Sequence, residues 1–181
     1  MFTHKKKLIP EYYFERMYED IKDKVFPNFE RKSCVYNLHD IDLFPTYREI
    51  PKYKHTEIPK SLEEIRTIVE KDSGEIFDYV LVHIYSSGNA AIGWHFDREA
   101  LNSEIASISL GATRKFRLKE IGRKKGWDYE FSLCSGDCIY MHKPCAKNNY
   151  VGCQSKYFHC VPKELTVKKA RINLTFRQYE L

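Results

Sequence analysis

Ala170-Arg171-Ile172-Asn173-Leu174-Thr175-Phe176-Arg177 alternates without a break. Period two means strand: Ile172, Leu174 and Phe176 share one face, and Arg171, Asn173, Thr175 and Arg177 share the other. Two readings of the polar face are open. On a one-sided sheet it faces water. Alternatively its guanidinium forks hold a dicarboxylate, because arginine supplies a planar two-point geometry that a lysine ammonium lacks. The same texture recurs upstream. Residues 77–85, 105–110, 115–118, 129–133 and 138–141 are rich in β-branched and aromatic residues, and Ser86-Ser87-Gly88-Asn89 and Gly136-Asp137 supply turns.

Helical spacing is confined to the first part of the chain. Phe14, Met17, Tyr18, Ile21 and Val25 recur at three- and four-residue steps and predict a helix over 11–25, ended by Pro27. A second helix begins at Ser61, with Ser61 and Glu64 as a capping box behind Pro59; Leu62, Ile65, Ile68 and Val69 form its buried stripe, and Gly74 stops it. Residues 31–57 have no clean period and are read as short strands and loops, with Tyr36, Phe44, Tyr47 and Tyr53 as aromatic surface. Helices first and short strands afterwards make the fold class α+β, with a curled sheet or β-sandwich as its core. No internal repeat marks a second domain, so residues 1–181 are expected to form one.

Chemistry concentrates in Trp94-His95-Phe96-Asp97 and Tyr157-Phe158-His159. His-x-Asp on an extended segment puts an imidazole and a carboxylate on one face. A histidine from a distant strand completes a two-His-one-carboxylate set, which suits non-haem Fe(II) and leaves positions open for substrate and O2. His-x-Asp also arises by chance. A 2-oxo acid could chelate such an iron through its carboxylate and keto oxygen, its far carboxylate seated on the arginines of 170–177.

Composition narrows the class. The 181 residues are 43% hydrophobic and 14% aromatic, with formal charge +5. That is a globular chain whose mild basic excess permits a polyanionic partner or merely a solvated basic surface. No apolar run approaches the ~20 residues of a membrane span. Met1-Phe2-Thr3-His4-Lys5-Lys6-Lys7 lacks a following apolar segment, so it reads as a solvated terminus, not a secretory signal. The six cysteines include no Cys-x-x-Cys and are expected to be reduced thiols in an intracellular protein. A zinc site from Cys138, His142, Cys145 and Cys153 is the alternative.

The run from Asp78 to Leu181 resembles the AlkB family of Fe(II)- and 2-oxoglutarate-dependent nucleic-acid dealkylases, particularly its eukaryotic DNA-repair branch. The matching pieces are Tyr85-Ser86-Ser87-Gly88, Ile92 to Glu99, Ile105 to Phe116, Gly136-Asp137, Tyr157 to Pro162, and Arg171 to Arg177. The resemblance implies a double-stranded β-helix (jelly-roll) core over 76–181, with helices and a nucleotide-recognition lid over 1–75. It implies Fe(II) on His95, Asp97 and His159. It implies that Tyr85, Arg171 and Asn173 hold the distal carboxylate of 2-oxoglutarate, with Arg177 near its chelating end. The family usually has Asn where this chain has His83; a histidine can still donate to the cosubstrate, or could compete as a ligand.

The resemblance further implies oxidation of a methyl group on a base nitrogen, as in 1-methyladenine or 3-methylcytosine of DNA or RNA, releasing formaldehyde, succinate and CO2. Glu99 matches an acidic position that faces the exocyclic amine of the base. Tyr36 is the expected stacking partner of a flipped base, Arg31 and Lys32 the phosphate contacts, and Val25-Phe26 with Pro27 an apolar finger or else a helix end tucked into the core. Arg98 and Arg114 could track the backbone, and Lys143, Lys147, Tyr150 and Lys156 could brush it. A monomer is expected. Rival readings are the same iron chemistry on a protein, lipid or small molecule, a silent nucleic-acid-binding relative, and a zinc-stabilised structural domain.

Overall fold

All seven residues of the alternating C-terminal strand are buried, the polar ones included. The reason lies in the layering of the computed structural model, which describes residues 1–28, 31–39 and 54–179. Its strands are β1 (Phe2–Lys5), β2 (Phe26–Asn28), β3 (Arg31–Asn37), β4 (Lys54–His55), β5 (Tyr79–Tyr85), β6 (Ile92–His95), β7 (Ile105–Gly111), β8 (Arg114–Glu120), β9 (Tyr129–Leu133), β10 (Cys138–Met141), β11 (Tyr157–Val161) and β12 (Arg171–Arg177). The helices are α1 (Tyr13–Ile21), α2 (Lys60–Ser73) and the single turn α3 (Cys153–Lys156).

The larger sheet runs β1-β10-β7-β12-β5-β3-β2, antiparallel along this path, with β4 beside β3 in parallel. The smaller runs β6-β11-β8-β9. β12 sits near the middle, with Ile172 opposite Ile84 on one side and Leu110 on the other. Its apolar face joins Val80, Val82 and Ile108 against Met17, Ile21, Leu62 and Ile65 of α1 and α2. Each such fully buried aliphatic side chain contributes roughly 1.5–3 kcal/mol relative to exposure. The polar face looks the other way, into the gap between the sheets, where Phe116, Leu118, Met141 and Val161 form a second cluster. Helices on one face of an antiparallel sandwich give the α+β jelly-roll expected from the sequence.

Three local expectations are corrected. The first helix stops at Ile21, not Val25: a turn follows, Lys24 N–H donating to the Ile21 carbonyl, and 26–28 are drawn into strand pairing with β3. The capping box does not form. Ser61 Oγ donates to Asp20 Oδ2 at 2.5 Å, while Glu64 accepts from Tyr13 Oη at 2.9 Å and Arg16 Nη1 at 2.7 Å. Both side chains face α1, where charged partners outcompete their own helix end. Gly74 does end α2, at φ +72, with its N–H on the Glu70 carbonyl. The basic amino terminus is an edge strand paired with β10, not a solvated tail, and Lys5 Nζ reaches Asp72 at 3.1 Å. Phe44, Tyr47 and Tyr53 lie outside the described residues.

The turn after β5 is docked on the loop ahead of β12: Gly88 N–H donates to the Val167 carbonyl and its own carbonyl accepts from Glu164 N, both at 2.8 Å. A Cβ at residue 88 would collide with the Glu164 backbone carbonyl. Gly88→Ala should therefore lower stability by about 1–3 kcal/mol. The measurement is the urea midpoint at constant m; an unchanged midpoint would show that the loop yields.

Candidate metal centre and cosubstrate pocket

His95 ends β6 and His159 lies within β11, and the two are register partners across the smaller sheet. Asp97 follows the strand, but its backbone stays extended (φ −87, ψ 94), so its side chain returns to the face of His95. One donor atom from each of the three lies within 4.8 Å of the others. Asp97 Oδ1 is 3.8 Å from His95 Nε2, Asp97 Oδ2 is 3.8 Å from His159 Nε2, and the imidazole centroids are 4.2 Å apart. His95 Nδ1 is 2.8 Å from the Gly93 carbonyl; donation there fixes the tautomer that turns the Nε2 lone pair toward Asp97. Gln154 of α3, a residue the sequence did not single out, accepts from Asp97 N at 2.9 Å and anchors that turn.

Burial alone would raise the Asp97 carboxyl, but Arg177 and the histidines outweigh it and hold it below the usual range. Burial pushes His159 down to about 3. An ionised carboxylate beside an unprotonated His159 ring suits a divalent ion. The buried His159 Nδ1 has no hydrogen-bond partner. Among the described residues no other group of His, Cys, Asp and Glu converges this way, so Cys138, His142, Cys145 and Cys153 form no zinc site. His142 instead pairs with Glu104 at 2.6 Å.

The gap beside these ligands is lined by His83, Tyr85, Asn173, Thr175 and Arg177. The polar face of β12 thus meets a cavity, not water. Just beyond, Arg171 lies against Tyr85, its Cζ 5.1 Å from the ring centroid. Arg171 Nη2 donates to Ser109 Oγ at 2.9 Å, while Nε and Nη1 are buried without a hydrogen-bond partner. A buried guanidinium with two unused donors is costly unless an anion completes it, and a carboxylate does so in fork geometry. Asn173 differs: its Nδ2 already donates to Ser107 Oγ (2.9 Å) and the Ile108 carbonyl (2.8 Å), tying β12 to β7. Arg177 Nη2 meets Asp97 Oδ2 at 2.9 Å, and Nη1 pairs with Glu99. His83 Nδ1 is 2.6 Å from Ser33 Oγ, and burial, with Arg31 and Arg177 nearby, drives its pKa well below the ordinary value.

The expected nucleic-acid contacts are scattered. Tyr36 does not stack on a base: its side chain is on the helix-covered face of β3, in the core, with no exposed surface. Val25 packs against that same core; Phe26 lies in the edge strand β2, and its side chain is outside the described ones. Lys32 is exposed. Arg31, one residue away and so on the opposite face, turns toward the cavity, 6.0 Å from the Tyr85 ring. The sequence of β3 does not alternate polar and apolar residues, so reading short strands and loops over 31–57 did not say which residues face the cavity. Arg114 is buried and does not track a backbone. It donates to the carbonyls of Ser87, Gly88, Ala90 and Pro162 and pairs with Glu164. Arg98 is exposed, over Phe96. Lys143 pairs with Glu75 and Lys156 with Glu120, Tyr150 Oη donates to the Met1 carbonyl, and Lys147 is exposed.

Comparison with known proteins agrees with this geometry. Residues 17–177 match the 2OG-Fe(II) oxygenase superfamily, whose members take Fe(II), 2-oxoglutarate and O2. The chain is 34% identical over 185 residues to the DNA oxidative demethylase ALKBH2 of Mus musculus, covering 86% of this chain and 74% of that one. It is 30% identical over 142 residues to the alpha-ketoglutarate-dependent dioxygenase alkB homolog 3 of Homo sapiens, covering 73% and 47%. With the ALKBH2 of Bos taurus it shares 34% over 157 residues, 82% of this chain and 52% of the relative. The chain thus spans about half the length of several curated relatives it matches. The solved structure of OsALKBH1 superposes with a TM-score of 0.71 over 98% of this chain and 97% of that one, at 16% identity, a likeness of fold. No described helix is long and apolar enough to cross a membrane. With a family match over most of its length and relatives at this identity, the chain belongs to the AlkB family of 2OG-Fe(II) oxygenases.

Proposed function

We propose that this protein is an Fe(II)- and 2-oxoglutarate-dependent dioxygenase that removes N-linked methyl groups from 1-methyladenine and 3-methylcytosine in DNA or RNA. One methyl carbon leaves as formaldehyde, while O2 and 2-oxoglutarate become succinate and CO2. The observation that carries the reading is the convergence of His95, Asp97 and His159 beside a buried, under-partnered Arg171. That the relatives include a DNA oxidative demethylase supports the substrate class.

Iron, when bound, supplies the oxidation of the methyl carbon. His95, Asp97 and His159 would hold it. Arg171 and Tyr85 clamp the far carboxylate of 2-oxoglutarate. Ser33 Oγ donates to His83 Nδ1, so His83 Nε2–H donates to the carboxylate nearer the metal, in place of the family's usual amide. Asn173 acts through the sheet, by fixing β12 on β7. Arg177 orients Asp97 and Glu99 together. Glu99 accepts from the exocyclic amine of a flipped base, whose extrusion costs a few kcal/mol, least for a damaged, poorly paired base. Residues 76–181 supply the candidate ligands and pocket, and 1–75 contribute α1, α2 and strands β1 to β4 of the larger sheet together with the nucleotide-recognition lid, in one monomeric domain.

The test is incubation of oligonucleotides carrying 1-methyladenine or 3-methylcytosine with Fe(II), 2-oxoglutarate and O2, followed by mass spectrometry. Loss of one methyl mass with stoichiometric formaldehyde is expected; 2-oxoglutarate turnover that ignores the oligonucleotide would favour a protein or small-molecule substrate. Asp97→Ala should abolish both Fe(II) retention and formaldehyde release, and full activity in that variant would refute the ligand set. Arg171→Ala should raise the KM for 2-oxoglutarate roughly ten- to a hundredfold, the loss of a charge-assisted contact worth about 1.5–3 kcal/mol; an unchanged KM would remove Arg171 from the clamp. A pH dependence follows as well. Burial depresses His83 and His159 below their unfolded value of about 6.5. The unfolded chain then binds more protons than the folded one as pH falls below that value, so stability is lost downward. Thermal midpoints of the metal-free protein should fall from about pH 6.5 toward 5. A flat profile there would mean that both rings are solvated.

A further inference from the structure

We infer that the outer face of the smaller sheet is a stacking platform for single-stranded nucleic acid, outside the cavity. Alternation along β6, β11 and β8 sends His95, His159 and Leu118 inward and Trp94, Phe158, Arg117 and Lys119 outward; Phe158 is the register partner of Lys119, and Cys160 of Arg117. The outward residues form a continuous strip of ring and cation. Arg98 lies 5.7 Å from the Phe96 ring, and the Phe96 and Phe158 centroids are 5.6 Å apart. Lys119 Nζ stands 5.9 Å from Phe158 and 4.7 Å from Trp94. Arg117 lies 3.7 Å over Trp127. The strip starts at Phe96 and Arg98, the residues flanking Asp97, so it is continuous with the proposed site.

The two indoles keep 38% and 45% of their surface exposed, and a groove of about 520 Å3, floored by Gly93, Gly126 and Pro162, runs between them. Exposed tryptophans are unfavourable on a sheet that only meets water. Charge decides the occupant. Lys115, Arg117 and Lys119 project from β8, three cations against one carboxylate, Glu130 of β9, which lies 2.6 Å from Arg117 and 3.8 Å from Lys115. Rings for bases with cations for phosphates is the recognition chemistry of an unpaired strand; an apolar protein partner would have to desolvate the lysines. The inference rests on the proposed nucleic-acid substrate and adds where the strand beside the target nucleotide runs.

Both tryptophans of the chain line this groove, so intrinsic fluorescence reports its occupancy. The probe is unmodified oligo(dT) of about 12 nucleotides, titrated into the metal-free protein. Quenching is expected, with Trp127→Ala weakening binding about tenfold or more and Trp127→Phe restoring most of it. Arg117→Gln should flatten the log–log salt slope by about 0.7. In the iron-loaded enzyme, Trp127→Ala should raise KM for a methylated strand of that length while sparing kcat and sparing a methylated trinucleotide. Lys119→Ala serves as a second variant should residue 127 disturb folding, checked by circular dichroism. Binding without quenching, equal affinity in all variants, or quenching by a proline-rich peptide in place of oligo(dT) would overturn the platform. If oligo(dT) quenches and Trp127→Ala weakens it but no formaldehyde is released, the platform stands and the demethylase reading falls. Formaldehyde release without quenching would leave the demethylase standing and remove the platform.

Discussion

Strand β12 is held on both edges by antiparallel partners, and neither of its faces reaches water. One face is stabilised by aliphatic packing under the helices. The other carries two arginines, an asparagine and a threonine into the gap between the sheets. Buried charge of this kind is tolerated only with partners, so the strand's position dictates what must surround it: Asp97 and Glu99 at Arg177, Ser109 at Arg171. On the facing sheet, strand pairing holds His95 beside His159, while Asp97 sits in the turn after β6 that Gln154 anchors and reaches across to Arg177. Ligand sites on rigid strands keep their geometry because a side chain moves only if a hydrogen-bonded ladder moves with it.

The electrostatics follow from the same layering. Low dielectric between the sheets raises the cost of every unpaired charge and strengthens every paired one. Asp97 stays ionised against burial because the Arg177 guanidinium lies beside it, while burial outweighs the Asp97 charge at His159 and keeps that ring neutral. His83 shows how a substitution is accommodated. Its larger ring takes up Ser33, a residue on the neighbouring strand, so the departure from the family's usual asparagine extends into a second strand.

Much of this was legible in the chain. The period-two run at 171–177, the His-x-Asp spacing and the helical stripes read over 11–25 and from Ser61 to Gly74 are local signals, and most of their extent survives folding. The motif pieces carried the order of the core strands. What stayed hidden depended on tertiary neighbours. Ser61 and Glu64 have the right spacing for a cap, yet α1 offers them better partners. Tyr36 looked available because short strands were read at 31–57 without their facing; the parity of β3 sends it into the core and turns Arg31 toward the cavity. Gln154 and Arg114 carry no motif of their own, since their roles exist only once distant loops meet.

Arg114 shows what such a meeting implies. A single guanidinium binds the carbonyls of 87, 88, 90 and 162 and the carboxylate of Glu164. Surface connections ordinarily accept added length with little penalty. Lengthening or exchanging either of these two alone would disturb a guanidinium that also binds the other, through three acceptors on the first connection and two on the second. Added length meets less resistance in the hairpin between β8 and β9, where residues 121–125 are exposed ahead of Gly126 and Trp127.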